Sequence, residues 1–283
     1  MKTILITGKN SYIGTSIEKW LSQPKFRENY LVDTIDVRGA EWKKLDFSQY
    51  YAVIHVAGIA HRKETKENAH LYYEVNRDLA IDIAGKAERE GIKQFIILST
   101  MNVYGLLEGA ITKNTIPNPS TNYGKAKLEA DAVIGKMNNR NFKVAIVRPP
   151  MIYGKDCKGN YTKLSFVARH SLFFLSVKNK RSMLYIENLC DFIEQILHEE
   201  KSGIFHPQNN QFVCTETLVK KIAKCHNHLL ICIPFIAPII KGLAGDKGKK
   251  VLGTLVYDME EDRCGLVSFE DSIEQTEIGS RRG

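Results

Sequence analysis

The stretch "KTILITGKNSYIG" (residues 2–14) decides the fold. Its first half is a short apolar, β-branched run, the pattern of a strand buried on both faces. "TGKN" turns the chain, and "YIGTSIEKWLS" (12–22) takes up the spacing of an amphipathic helix. A strand that passes through glycine directly into a helix presents backbone N–H groups at the helix start, where the dipole favours an anion. Gly8 and Gly14 hold the outer positions of a G-x-x-G-x-x-G turn, and Ser11 holds the middle one. Glycine belongs there because a side chain would block a phosphate's approach.

Outward from that turn the pattern repeats. "YLVDTIDV" (30–37), "AVIHVAG" (52–58), "KQFIILST" (93–100) and "KVAIVRPP" (143–150) read as further strands. Asp46, in "LDF", is expected to end a short third strand near the adenine side. Helical patterns fill 67–91, closed by Gly91, and 121–138. Apolar strands alternating with helices imply a doubly wound (Rossmann) α/β domain, with ligands at the carboxyl ends of the strands. After Pro150 the rhythm breaks, except for a strand and helix in "MLYIENLCDFIEQILHEE" (183–200) and a strand in "GIFHP" (203–207). The expected division is a dinucleotide-binding domain over 1–155 with 183–208, and a smaller mixed substrate domain over 156–182 with 209–283.

Composition sets the class. The chain has 283 residues, 43% hydrophobic and 25% charged, which suits a soluble globular protein. Its 6 cysteines form no CxxC pair and share no metal-ligand spacing with the 8 histidines, so reduced thiols, a cytoplasmic setting and no metal are expected. The formal charge of +8 suits a polyanionic or phosphorylated partner, but no long basic block points to nucleic acid. "LLICIPFIAPII" (229–240) is too short and too proline-rich to span a bilayer, so a buried segment is expected, with lipid contact as the other reading. "GDKGKK" (245–250) reads as a solvated loop.

Two features carry chemistry. Asp36, at the end of the second strand, can accept the adenosine ribose hydroxyls and favours NAD, whereas Arg38 could accommodate a 2′-phosphate and keeps NADP open. Gly58 would let the backbone pass close to the cofactor. On the helix "YGKAKLEA", Tyr123 and Lys127 are i and i+4 and share a face. A phenol titrates near 10, so a role as base needs a neighbouring cation to favour the phenolate. Lys127 is expected to provide it, and small Gly124 and Ala126 to leave room for the cofactor. Thr100, at the end of "FIILST", converges on the same point.

At these residues the chain resembles the extended short-chain dehydrogenase/reductase family, in its NAD-dependent epimerase/dehydratase branch acting on nucleotide sugars. The match runs from Met1 to about His206. The resemblance implies Thr100, Tyr123 and Lys127 as the catalytic set. It implies cofactor contacts at Gly8, Ser11, Tyr12, Ile13, Gly14, Asp36, Arg38, Asp46, Phe47, Ala57, Gly58, Asn76, Ser99, Tyr123, Lys127 and Pro150. Asn76 in "YYEVN" resembles the asparagine that orders the active-site backbone. Arg181 in "RSMLYIENL" resembles the arginine that meets a nucleotide diphosphate; with Thr100 it forms the expected substrate contacts.

Within the family, 4,6-dehydratases place an acidic pair after the threonine. Met101 and Asn102 stand there, so dehydration is disfavoured. The remaining chemistry is redox at C4: a UDP-hexose or UDP-N-acetylhexosamine 4-epimerase, or a reductase of a UDP-4-keto-6-deoxy sugar. A non-catalytic dinucleotide sensor is the alternative from another class. The resemblance also implies a homodimer and a role in polysaccharide biosynthesis.

Overall fold

The computed structural model describes residues 1–60, 62–233, 253–258 and 262–279. In chain order its strands are β1 (Lys2–Thr7), β2 (Tyr30–Ile35), β3 (Ala52–His55), β4 (Gln94–Leu98), β5 (Gly109–Ile111), β6 (Lys143–Val147), β7 (Met151–Tyr153), β8 (Phe173–Leu175), β9 (Met183–Tyr185), β10 (Gly203–Phe205), β11 (Gln208–Asn209), β12 (Ile231–Ile233), β13 (Leu255–Tyr257) and β14 (Arg263–Cys264). The helices are α1 (Tyr12–Leu21), α2 (Ala69–Tyr73), α3 (Leu79–Arg89), α4 (Asn122–Gly135), α5 (Asn160–His170), α6 (Ile186–Glu199), α7 (Thr215–Cys225) and α8 (Phe269–Glu277). A π-helical turn, Glu74–Asp78, joins α2 to α3. Among the described residues no helix is long and apolar enough to cross a membrane.

The chain folds into two units. The first comprises Met1–Gly105, Pro117–Pro149 and Leu189–Pro207; the second comprises Leu106–Ile116, Pro150–Asn188 and Gln208–Gly283. Relative to the expected division, residues 106–116, 150–155, 183–188 and 208 fall in the second unit.

The first unit is built on a parallel sheet in the order β10-β6-β4-β3-β1-β2. Leu5, Val53, Phe95, Ile97, Val144 and Ile146 bury one face against Ala80, Ile83 and Ala84 of α3 and Ala130 and Ile134 of α4. The alternate residues Ile4, Ile6, Ile54 and Ile96 are fully buried on the other face. Burial of both faces is what a parallel sheet with helical crossovers requires. α3 ends as its sequence announces: Gly91 adopts φ +81, and the Ile92 amide reaches back to the Ala87 carbonyl.

The expected third strand near Asp46 is absent from the sheet. Residues Glu41–Lys44 form a 3-10 turn pinned by buried Trp42 and followed by fully buried Phe47. These aromatic side chains fix the segment by packing beneath it.

The second unit consists of short strand pairs with α5, α7 and α8. β7 pairs with β9, β5 with β13, β11 with β14, and β8 with β12. The described part of 229–240 is a surface strand, with Leu229, Ile231 and Ile233 exposed, contrary to the expected buried segment. Its remainder, 234–240, and the expected loop 245–250 lie outside the described residues.

Candidate active site

The start of α4 is fixed by hydrogen bonds. Thr121 accepts from the Gly124 amide at 3.1 Å, and the Glu64 carboxylate accepts from the Asn122 and Tyr123 amides at 3.0 and 3.1 Å. Together they satisfy donors that a helix N-terminus leaves open, and a carboxylate there also suits the dipole. Gly124 serves a different purpose from the one its size suggested. A Cβ on it would lie 2.8 Å from the Asn102 carbonyl and 2.9 Å from Pro119, so glycine lets α4 press against the turn after β4. Ala126 is wholly buried in the core.

That close approach brings Thr100 to Tyr123. Thr100 caps the 3-10 turn Met101–Tyr104, accepting from the Asn102 amide at 3.2 Å, and its hydroxyl lies near enough to the Tyr123 phenol to favour the phenolate. Lys127 is buried one turn along and donates to the Leu98 carbonyl at 2.8 Å. Burial pushes the phenol up to about 12, with Thr100 pulling it down and Asp131 pushing it further up. Burial brings Lys127 down to about 8 against the upward pull of Asp131. In the protein alone desolvation is the largest influence on the phenol and favours its neutral form.

Beneath this pair lies a charged cluster that the sequence reading missed. Asp131 Oδ2 accepts from Ser99 Oγ at 2.8 Å and from Arg148 Nε at 2.9 Å. Arg148 donates onward to the Tyr104 hydroxyl at 3.0 Å, which lies 2.7 Å from His206 Nε2. Asp131 Oδ1 is buried with no partner among the described residues. Burial pushes the Asp131 carboxyl up even though Arg148, Ser99 and Lys127 all pull it down. The signal was present in the sequence, because Tyr123, Lys127 and Asp131 fall at i, i+4 and i+8 on one helical face. Beside Lys127, His55 is fully buried, holds Thr7 Oγ1 at 2.8 Å through Nδ1, and is pushed down to about 3 by burial and by Lys127. It stays neutral.

The glycine turn connects to this site through the exit of β3. Gly8 adopts φ +96, and a Cβ there would lie 3.0 Å from Val56 Cγ2 and 3.1 Å from the Ala57 amide. Ser11, the residue in place of the middle glycine, caps α1 by accepting from the Gly14 amide at 3.1 Å. Its side chain is thereby folded back into the turn. At the other end of the same segment, a Cβ on Gly58 would lie 2.7 Å from Asn76 Oδ1 and 3.5 Å from Lys127 Nζ. Asn76, fully buried in the π-helical turn, clasps Ile59 through its amide (3.0 Å) and carbonyl (3.1 Å). Residues 56–59 thus run from the glycine turn to Lys127.

The remaining expected contacts divide. Tyr12 and Ile13 open α1 and are partly buried, and Ala57 lies against the glycine turn. Asp36 and Arg38 stand exposed at the end of β2 and bind each other: the Arg38 amide and Nε reach Asp36 at 2.9–3.0 Å, and Nη2 also contacts it. The guanidinium holds Asp36 down at about 2. Asp46 is exposed and accepts from the Ser48 amide, which holds its carboxyl below the usual range. Phe47 is not brought to a ligand-facing position: its ring is wholly in the core and its amide is taken by Glu90 at 2.7 Å. Ser99 spends its hydroxyl on Asp131. Pro150 opens the second unit's segment Pro150–Asn188.

Arg181 lies in the second unit, in a cavity of about 190 Å³. The cavity joins Arg181, Lys163, Asn160 and Thr215 to an apolar wall that includes Met151, Phe174 and Met183. Arg181 exchanges backbone hydrogen bonds with Val213 at 2.9 Å and donates from Nη1 to the Gly253 carbonyl at 3.1 Å. Burial lowers its guanidinium pKa against the pull of Glu108.

Residues 4–207 match the NAD dependent epimerase/dehydratase family. A UDP-glucose 4-epimerase of Vibrio cholerae is 28% identical over 251 residues, 78% of this chain and 75% of that protein. Among solved structures, a UDP-glucuronic acid 4-epimerase from Bacillus cereus in complex with NAD superposes with a TM-score of 0.75 at 17% identity, covering 98% of each chain. A dTDP-4-dehydrorhamnose reductase from Clostridium acetobutylicum does so with a TM-score of 0.73 at 20% identity, again covering 98% of each. At such identities the structural likeness speaks to the fold.

Proposed function

The chain belongs to the NAD dependent epimerase/dehydratase family, and from that premise we propose that it carries out nicotinamide-dependent redox chemistry at C4 of a nucleotide sugar, as a UDP-hexose or UDP-N-acetylhexosamine 4-epimerase. The observation that carries this reading is the placement of Tyr123 and buried Lys127 one turn apart on α4, with Thr100 just after β4 beside the phenol. The kinship with a UDP-glucose 4-epimerase supports the choice of substrate.

The residues present suit a dinucleotide. Gly8 and Gly14 are positions where a Cβ would fill the turn, the α1 N-terminus faces it, and Gly58 keeps the track to Lys127 open. Tyr12, Ile13, Asp36, Ala57 and Lys127 would complete the hold, with Asn76 keeping residues 58–59 in place. A nicotinamide dinucleotide seated there supplies the reversible two-electron oxidation of C4.

The protein's own part is to move and hold a proton. Ionised beside the Lys127 cation, the Tyr123 oxygen takes the proton of the C4 hydroxyl as that carbon becomes a carbonyl, and returns it to the carbonyl oxygen when C4 is reduced on its other face. Thr100 holds the same sugar oxygen. The Lys127 cation stabilises negative charge as it develops on the phenol. Asp131 and Arg148 act through Lys127 as positioning residues. In the second unit, Arg181 and Lys163 offer cations to a sugar diphosphate.

One observation favours a second reading. Burial favours the neutral phenol, the form a reductase needs to deliver a proton to a 4-keto sugar. Incubating the purified protein with UDP-glucose, UDP-N-acetylglucosamine and a UDP-4-keto-6-deoxy sugar separates the two. Interconversion of C4 epimers without added NAD(P)H is expected. Consumption of NAD(P)H with the keto sugar alone assigns a reductase, and inertness toward all three overturns the proposal.

A further inference from the structure

The second unit carries an exposed surface that sugar chemistry does not call for. β8 and β12 form a two-stranded parallel ribbon with Phe173 opposite Ile231 and Leu175 opposite Ile233. Side chains alternate along strands, so these four share one face while Phe174 and Cys232 share the other. Phe174 turns inward and lines the Arg181 cavity. On the outer face Phe173 is 57% exposed, Ile231 46% and Ile233 42%. Leu172 and Leu229, at the start of the ribbon, are more than half exposed as well. Contiguous exposed apolar side chains of this kind mark a surface that meets something.

The charge around the ribbon is mainly basic, with the Glu216 carboxylate accepting from Ser176 Oγ beside β8 at 2.6 Å. Between Asp156 and Glu187 the chain has no acidic residue, yet it carries Lys158, Lys163, Arg169, Lys178, Lys180 and Arg181. No Asp or Glu occurs from Thr217 to Ile233 either. Lys178 and Lys180 directly follow β8, are exposed, and have no carboxylate partner among the described residues. Where basic side chains on this unit do find acids, as in Lys220–Glu216 and Lys221–Glu270, they lie on α7 rather than on the ribbon.

We propose that this ribbon docks the protein on an anionic bilayer surface, with Phe173, Ile231 and Ile233 in the interfacial layer and Lys178 and Lys180 at the lipid phosphates. A narrow apolar strip flanked by unpaired cations is the pattern of a peripheral membrane contact, in which apolar burial and attraction to anionic lipid add. A second copy of this chain suits the face poorly, because it would set lysine against lysine. Docked in this way, the outer side of the ribbon meets lipid while its inner side walls the cavity. The proposal is independent of which C4 reaction the first unit performs.

Flotation of the full chain with vesicles tests it. Co-flotation is expected with phosphatidylcholine vesicles containing about one third phosphatidylglycerol, but not with phosphatidylcholine alone, and high salt should release the protein. The double variant F173E/I231E should stay at the bottom of the gradient while retaining turnover of a soluble nucleotide sugar. K178E/K180E keeps the apolar strip and should partition roughly 30-fold less well. Absence of flotation with the anionic vesicles overturns the proposal, as does equal flotation of both variants. Concentration-dependent dimerisation that F173E/I231E abolishes would also overturn it, assigning the face to a second copy.

Discussion

Two of the aspartate–arginine pairs in the first unit differ chiefly in burial. Asp131 and Arg148 meet at 2.9 Å with side chains 2% and 6% exposed; Asp36 and Arg38 meet with side chains 42% and 85% exposed. In water the arginine wins, and Asp36 is held down at about 2. In the core, burial wins and the Asp131 carboxyl moves up despite having an arginine as close. The buried pair is a fixed part of the site, whose loss strands a charge. The exposed pair is held loosely enough for a ligand to replace either partner.

The sharpest way to break that contrast is to remove one member of each pair. Arg148→Met leaves Asp131 buried with Ser99 as its remaining hydrogen-bond donor and should cost about 3–5 kcal/mol of stability in a denaturant titration. Adding Asp131→Asn to it should recover most of that loss. Arg38→Ala should leave the denaturation midpoint unchanged. Equal, small effects at both sites would erase the distinction.

A smaller effect sharpens it in the pH profile. Asp131 raises both Lys127 and Tyr123, so Asp131→Asn should move both pKa values down. Lys127 then loses its proton below its present value of about 8, and the alkaline fall of kcat/KM that depends on the cation should begin at lower pH. A limb that stays in place, or moves to higher pH, would remove Asp131 from the electrostatics of the site.

These outcomes also mark what was legible in the sequence. The sheet was legible because its strands are apolar on both faces, and Tyr123 and Lys127 because a helical period puts them together. Asp131 lies on the same period, but its meaning depends on Arg148, which only the packing of β6 beside β4 brings near. The strand expected to end at Asp46 was misread because Phe47, next to it, pins a turn, and an aromatic side chain there looks locally like one in a strand. Gly124 was legible as small but not as a contact, because its neighbours, the Asn102 carbonyl and Pro119, come from elsewhere in the chain. In the second unit, short strand pairs leave no period long enough to read.

The smallest expected effects concern the exposed pair and the cofactor. Asp36→Ala should weaken NAD more than NADP, because the carboxylate both accepts ribose hydroxyls and repels a 2′-phosphate. Arg38→Ala should weaken NADP about threefold and leave NAD nearly unchanged, as befits a solvated charge. Equal losses for both dinucleotides in a fluorescence titration would take this pair out of the cofactor site.

The most direct measurement is turnover of Tyr123→Phe, compared with its dinucleotide affinity. Removing one hydroxyl that moves the C4 proton should lower kcat by roughly 100- to 10,000-fold while the dissociation constant for NAD changes less than about twofold. A variant that turns over within a few-fold of the parent would show that the proton travels by another group.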